Sequence, residues 1–273
     1  MYLLLTVVFG LCVGSFINAF VWRYHYNQKI KIPKNKLSIL NGRSLCPKCR
    51  HKLWPFDLIP VLSWIFLRGK CRYCKESISI QYPTVELLTT LIFGLSYLFW
   101  KFNSNYLNIF LFICWLLILT GLLSLTIYDV KWKILPSKII YTTGIFVIIY
   151  ILLKLFYKND FNVLGESLIG FLILGGLFYI LFQYSKGLWI GGGDIRLGAL
   201  LGLLVGGPLS AILLLFIASL GGTFFSLPFL INGKLKRNSS IPFGPFLVLG
   251  SIIVVLFGSI IIGWYKSHFI SVN

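Results

Sequence analysis

An all-α polytopic membrane protein is the fold class this sequence predicts, and three observations predict it. Of its 273 residues, 58% are hydrophobic and only 12% are charged, whereas a soluble globule is usually about half apolar and a quarter charged. The apolar residues fall in long runs of about the twenty residues that a helix needs to cross a bilayer. Lys and Arg crowd into alternate connections between those runs, as they do on the cytoplasmic side of a membrane.

Eight segments qualify as transmembrane helices, near residues 2–22, 83–100, 107–127, 139–157, 163–184, 195–206, 209–231 and 243–263. The first has no basic residues ahead of its apolar run and no Ala-x-Ala-type site after it, so it reads as a retained helix rather than a cleaved signal peptide. The sixth is short and rich in glycine. One sizeable polar stretch, Arg23 to Tyr82, interrupts the series. The expected organisation is therefore a first transmembrane helix (1–22), a small cytoplasmic loop domain (23–82) and a transmembrane domain (83–273).

Orientation follows from the basic residues. With the N-terminus outside and eight alternating helices, 21 of the 25 Lys and Arg residues lie on the inner side, 13 of them between residues 23 and 82. An error of one helix would scatter them across both faces. The net charge of +18 is what this topology requires, and it also attracts anionic lipid. No basic soluble domain interleaved with aromatic residues is present, so nucleic acid binding is not expected. The basic stretch from Lys29 to Lys36, around Pro33, reads as a solvated turn near the headgroups.

The polar loop carries Cys46-x-x-Cys49 and Cys71-x-x-Cys74, two knuckles separated by 21 residues. That spacing matches a zinc ribbon, in which four thiolates surround one tetrahedral Zn²⁺. A reducing cytoplasmic location disfavours the alternative of disulfides. One structural Zn²⁺ per chain is expected, contributing folding energy to a loop too small and polar for a good core. Four thiolates leave no coordination position for water, so this metal does no chemistry. Cys12 and Cys114 sit inside apolar helices and read as packing residues.

The candidate reactive groups are two carboxylates. The chain has only seven acidic residues, yet Asp129 and Asp194 lie where membrane-length segments meet short turns, and a charge at that depth needs a reason. Asp129 follows Leu122 through Tyr128, and Asp194 closes the run Gly191-Gly192-Gly193-Asp194, whose glycines would permit unusual torsions and close backbone approach. In the expected topology both lie at cytoplasmic helix ends, where they can meet and share one proton. One would then act as general base on water and the other as acid toward the carbonyl or the leaving amine. Taken alone, Asp129 also fits an interfacial acid paired with Lys131 or Lys133. The pair equally fits the coupling-ion site of a transporter, and the cysteine loop fits an assembly factor that docks a partner. His25, His51 and His268 are scattered, and neither Gly-x-Ser-x-Gly nor His-Glu-x-x-His occurs, so a serine or zinc protease is not expected. Glu86 stands a turn into the second helix, after Pro83, where it could bind a cation or snorkel.

Several stretches together resemble the type IV prepilin peptidases, polytopic aspartic proteases with a Gly-x-Gly-Asp signature. They are Gly14-Ser15-Phe16-Ile17-Asn18, Gly42 through Cys49, Trp54 through Ser63, Gly69 through Cys74, Tyr82 through Leu87, Asp129 through Pro136, Gly191 through Arg196, and Ile241 through Phe246. They run in family order along nearly the whole chain. The resemblance implies that Asp129 and Asp194 are the catalytic pair of an intramembrane endopeptidase in the bacterial cytoplasmic (inner) membrane, and that Cys46, Cys49, Cys71 and Cys74 hold zinc. It implies removal of a basic leader after a glycine from prepilins or pseudopilins of type IV pilus and protein secretion systems. It also implies methylation of the new N-terminus by S-adenosylmethionine, with peptidase activity alone as the alternative. No Gly-x-Gly-x-x-Gly fingerprint marks a site for that cofactor. If the loop and the second helix build it, Glu86 and Gly94 are the candidates. The chain departs from the family pattern at Leu58 and Ser137, at Arg196 in place of a lysine, and in a Lys-rich insertion after Arg23.

Overall fold

In a computed structural model, residues 2–29, 44–46, 48–103, 105–231 and 242–270 are described. The basic stretch 30–36, the start of the 42–49 motif and Ile241 lie outside them. All eight expected segments are helical: α1 (Tyr2–Lys29), α3 (Gln81–Phe99), α4 (Tyr106–Trp132), α5 (Ser137–Lys158), α6 (Asn162–Ser185), α7 (Gly192–Val205), α8 (Pro208–Ile231) and α9 (Gly244–Tyr265). A five-residue helix, α2 (Leu62–Phe66), lies in the loop after α1. Among the described residues, seven helices are long and apolar enough to cross a membrane, and α7 is not one of them. Its 14 residues span about 21 Å, short of the roughly 30 Å hydrocarbon layer.

The chain divides into two compact units, Met1–Trp100 and Lys101–Asn273. This division by packing cuts the chain differently from the expected division by membrane topology, because α3 packs on α1. The reason is a small-residue stripe. A Cβ on Gly14 would lie 2.7 Å from the Glu86 Cα, and one on Gly10 would lie 2.9 Å from the Thr90 Cα. Two glycines four residues apart thus let two apolar helices approach to backbone contact, which is what drives association in lipid. Numbers rise along α1 as they fall along α3, so the pair is antiparallel. The register extends to Asn18, whose Nδ2 donates to the Tyr82 carbonyl at 3.1 Å.

The second unit is built around α4, whose Trp115, Ile118, Leu119, Leu122 and Leu125 are all fully buried. Its neighbours again meet through glycine: Gly121 faces Thr143 of α5. Helices α6 and α7 form a tight antiparallel hairpin in which a Cβ on Gly202 would run into the Gly170 carbonyl oxygen. The hairpin turn passes through Lys186 and Gly187, both at positive φ. At its far end, Gly206 and Gly207 have φ of +65° and +71°, and the Gly207 N–H donates to the Glu166 carbonyl at 2.7 Å.

Candidate active site and metal centre

Helix α4 runs past the apolar segment to Trp132, so Asp129 stands in its last turn rather than beyond it. The helix ends at Lys133 in the left-handed conformation, and its N–H donates to the Asp129 carbonyl. The Asp129 side chain is buried, and its Oδ2 accepts the Gly244 N–H at 3.2 Å. Gly244 is the first residue of α9. The carboxylate thus caps the exposed N–H groups and positive dipole end of a helix 115 residues away. A Cβ at Gly244 would lie 2.6 Å from that oxygen, so any larger residue must displace the carboxylate or the start of α9. Sequence reasoning gave Gly244 no role. The local signal was the Gly-Pro pair opening an apolar run, which marks a helix start but not what it faces.

Asp194 is in the first turn of α7, where its Oδ2 accepts the Gly191 N–H at 3.2 Å. It is half-buried. The three preceding glycines do not supply unusual torsions: none has positive φ among the described residues. What is required is space at Gly193, where a Cβ would lie 2.8 Å from the Leu135 Cβ. The α4–α5 connection therefore packs directly on the Gly-Gly-Gly-Asp turn. Arg196 and Ser137 reinforce that contact with a side-chain hydrogen bond. These are two of the positions at which the chain departs from the family pattern, and they are partners in space.

The two carboxylates lie close enough for the charge of Asp194 to act on Asp129. Leu197, one turn beyond Asp194, approaches Gly244. The C-terminal end of α4 and the N-terminal ends of α5, α7 and α9 thus meet at one end of the second unit, with a carboxylate on each of α4 and α7. Such a pair can hold one proton between them, and can give and take protons from a water molecule and a carbonyl.

The four loop cysteines form a separate centre in the first unit. Their sulfur atoms all lie within 4.8 Å of one another, and Cys46 Sγ is 3.8 Å from Cys74 Sγ. Four sulfurs bound at about 2.3 Å to one tetrahedral ion lie about 3.8 Å apart, so the donor set fits zinc. All six cysteines are free thiols. The two knuckles are conformational copies. In each, the first Cys N–H donates to the carbonyl five residues on, and the N–H four residues on returns to the Cys carbonyl. Arg50 and Lys75 occupy equivalent left-handed positions with φ of 57° and 58°. Burial raises the Cys46 thiol, but N–H groups of Cys49 and Lys48 and neighbouring thiols outweigh it and bring it down to about 7. The Cys74 thiol is pushed up to about 11; the Glu76 N–H opposes that rise, while burial and the three other thiols drive it. Four sulfurs this close cannot all ionise unless a cation joins them.

Of the two methyl-donor candidates, Glu86 is buried and its Oε2 accepts the Val61 N–H at 2.7 Å. Gly94 packs inside the α1–α3 interface, 3.7 Å from Val7 at its virtual Cβ. They stand eight residues apart on α3, about 12 Å along its axis, so the structure does not bring them together.

Membrane-length helices and a carboxylate pair at the helix ends define a polytopic membrane protein with an aspartate dyad. The comparisons with known proteins make the class specific. Residues 8–102 match the bacterial peptidase A24 N-terminal domain, and residues 110–227 match the type IV leader peptidase family. A prepilin leader peptidase/N-methyltransferase of Bacillus subtilis (strain 168) is 31% identical over 94% of this chain and 95% of its own. One of Legionella pneumophila is 33% identical over 98% and 95%, and one of Aeromonas hydrophila is 29% identical over 99% and 96%. No solved structure matches. The chain belongs to the type IV leader peptidase family.

Proposed function

We propose that this protein is an intramembrane aspartic endopeptidase that removes the basic leader of prepilins or pseudopilins after a glycine, and then methylates the new N-terminal amine. The observation that carries the peptidase reading is the meeting of Asp129 and Asp194 at one end of the second unit, in a chain whose relatives bear that name. In the cleavage step one carboxylate takes a proton from water as its oxygen bonds to the scissile carbonyl carbon. The other supplies the proton that the departing amine nitrogen needs as the C–N bond breaks. Gly244 fixes Asp129, and Gly193 and Leu135 fix the turn that carries Asp194.

The short α7 supports placing this chemistry at membrane depth. Its Gly206 end is tied near Glu166, a turn into α6, and about 21 Å of helix does not reach across the hydrocarbon layer. Asp194 then lies below the headgroups, where a basic leader held in the cytoplasm meets the apolar helix of its pilin. Although α7 is short, it runs back along α6 and ends beside Glu166 near the start of that helix, so the chain still changes direction there as the alternating topology requires. The charge distribution supports the N-terminus outside, with the active site toward the cytoplasm of the inner membrane.

In the first unit, Cys46, Cys49, Cys71 and Cys74 would hold one Zn²⁺, which supplies folding energy and no open coordination position. Methyl transfer moves one methyl from the sulfonium of S-adenosylmethionine to the amine nitrogen, which releases a proton. The names of the relatives support it. Mass spectrometry of a prepilin incubated with the purified protein tests both activities. Cleavage after the leader glycine is expected, with one methyl added only when S-adenosylmethionine is present. Intact prepilin in the presence of folded protein would refute the peptidase.

A further inference from the structure

The cysteine loop exposes a run of large apolar side chains. Among the described residues 54–66, Trp54 is 62% exposed, Phe56 65%, Leu62 52%, Ile65 56% and Phe66 80%. Trp54 and Phe56 stack at 6.2 Å. Leu62, Ile65 and Phe66 stand at helical spacing on one face of α2. A patch of this kind marks a docking surface, and two further features say what covers it.

The first is depth. Pro60, Val61 and Leu62 form a γ-turn: the Leu62 N–H donates to the Pro60 carbonyl at 2.6 Å, and Val61 has φ 61° and ψ −52°. That conformation is strained for a β-branched residue. Its N–H is held by the buried carboxylate of Glu86, the sixth residue of the membrane-length helix α3. The 19 residues of α3 span about 28 Å, close to the thickness of the hydrocarbon layer, so Glu86, about 8 Å along the axis, lies just inside the edge of that layer. The start of α2 is therefore fixed beside α3 at the boundary between headgroups and acyl chains. The second feature is charge. Residues 44–80 carry seven Lys and Arg against Asp57 and Glu76, and both acids are already paired, with Arg72 and Lys48.

We infer that residues 54–66 form a lipid-docking surface: Trp54, Phe56 and the outer face of α2 enter the acyl boundary, and the basic knuckles lie over anionic headgroups. Indole rings suit that layer, and apolar area and basic charge together set the strength of such binding. The Glu86 carboxylate positions this surface by holding the Val61 turn. The inference stands on the first unit alone and does not depend on the peptidase reading.

The test uses the full chain in vesicles of phosphatidylglycerol and phosphatidylethanolamine, with the photoreactive residue p-benzoylphenylalanine in place of Phe66 and, in a second protein, of Lys48. Irradiation should give abundant phospholipid adducts at position 66 and only a small fraction of that yield at 48, where the side chain reaches headgroups but no acyl chains. The yield at 66 should fall when the vesicles are phosphatidylcholine alone. The same probe at Leu62 serves if the Phe66 protein does not fold. Equal lipid adducts at both positions would overturn the inference. So would adducts at 66 only with a second copy of the chain or with a co-reconstituted prepilin.

Discussion

Replacing Gly244 by alanine asks whether the contact between α9 and Asp129 sets the reaction geometry. The added Cβ would stand 2.6 Å from the Asp129 Oδ2, about 0.8 Å inside an ordinary contact distance. The carboxylate or the start of α9 must move by that amount, and the Gly244 N–H bond at 3.2 Å is lost or bent. Misplacing a reacting group by about 1 Å costs on the order of a hundredfold in rate, which corresponds to about 2.7 kcal/mol of barrier. Prepilin cleavage by Gly244→Ala should therefore fall roughly tenfold to a hundredfold, chiefly in kcat, while thermal unfolding in detergent shows an intact bundle. Gly176→Ala is the control, because a Cβ there meets nothing within 4 Å. Wild-type cleavage by Gly244→Ala would refute the reasoning, as would an equal loss in the control.

Zinc should be present at about one ion per chain in protein purified under reducing conditions, and Cys71→Ser should release it; metal-free native protein would contradict the site. With Cys46 brought to about 7 and Cys74 pushed to about 11 as free thiols, metal binding at neutral pH must expel at least one proton. Apparent zinc affinity should therefore rise at least about tenfold per pH unit across that range and fall as the pH drops, as a chelator competition would measure. Glu86→Ala orphans the Val61 N–H at a cost of about 1–3 kcal/mol, whereas Glu86→Gln keeps an acceptor there. Hydrogen exchange in residues 60–66 should rise in the first and stay near wild type in the second. Gly14→Val must push α1 away from the α3 backbone and should destabilise the first unit by about 1–3 kcal/mol, read as a lowered melting temperature.

Membrane helices were legible because burial in lipid writes itself as an apolar run, and each observed helix begins within a few residues of the expected one. The cysteine centre was legible because ligand spacing is local. Contacts between distant segments were not. Gly244 faces Asp129 across 115 residues, and no periodicity in either helix announces it. The glycines before Asp194 suggested torsional freedom, yet the structure uses Gly193 for its missing side chain against Leu135. Ser137 and Arg196 are separate departures from the family pattern in sequence, 59 residues apart, and are joined only in space by their hydrogen bond. Glu86 reads from the sequence as an acid that could bind a cation or snorkel; that its carboxylate also holds the N–H of a strained backbone turn 25 residues earlier is a contact no local pattern announces.

The most direct test of the aspartate pair is prepilin cleavage by Asp129→Asn and Asp194→Asn, each beside a parallel assay of methyl transfer to an already cleaved substrate. Asparagine keeps the size and an acceptor for the Gly244 and Gly191 N–H groups, so the fold should hold while proton transfer is lost. The account predicts that either change abolishes cleavage and spares methylation of the pre-cut pilin. Cleavage that survives in either folded variant would contradict it.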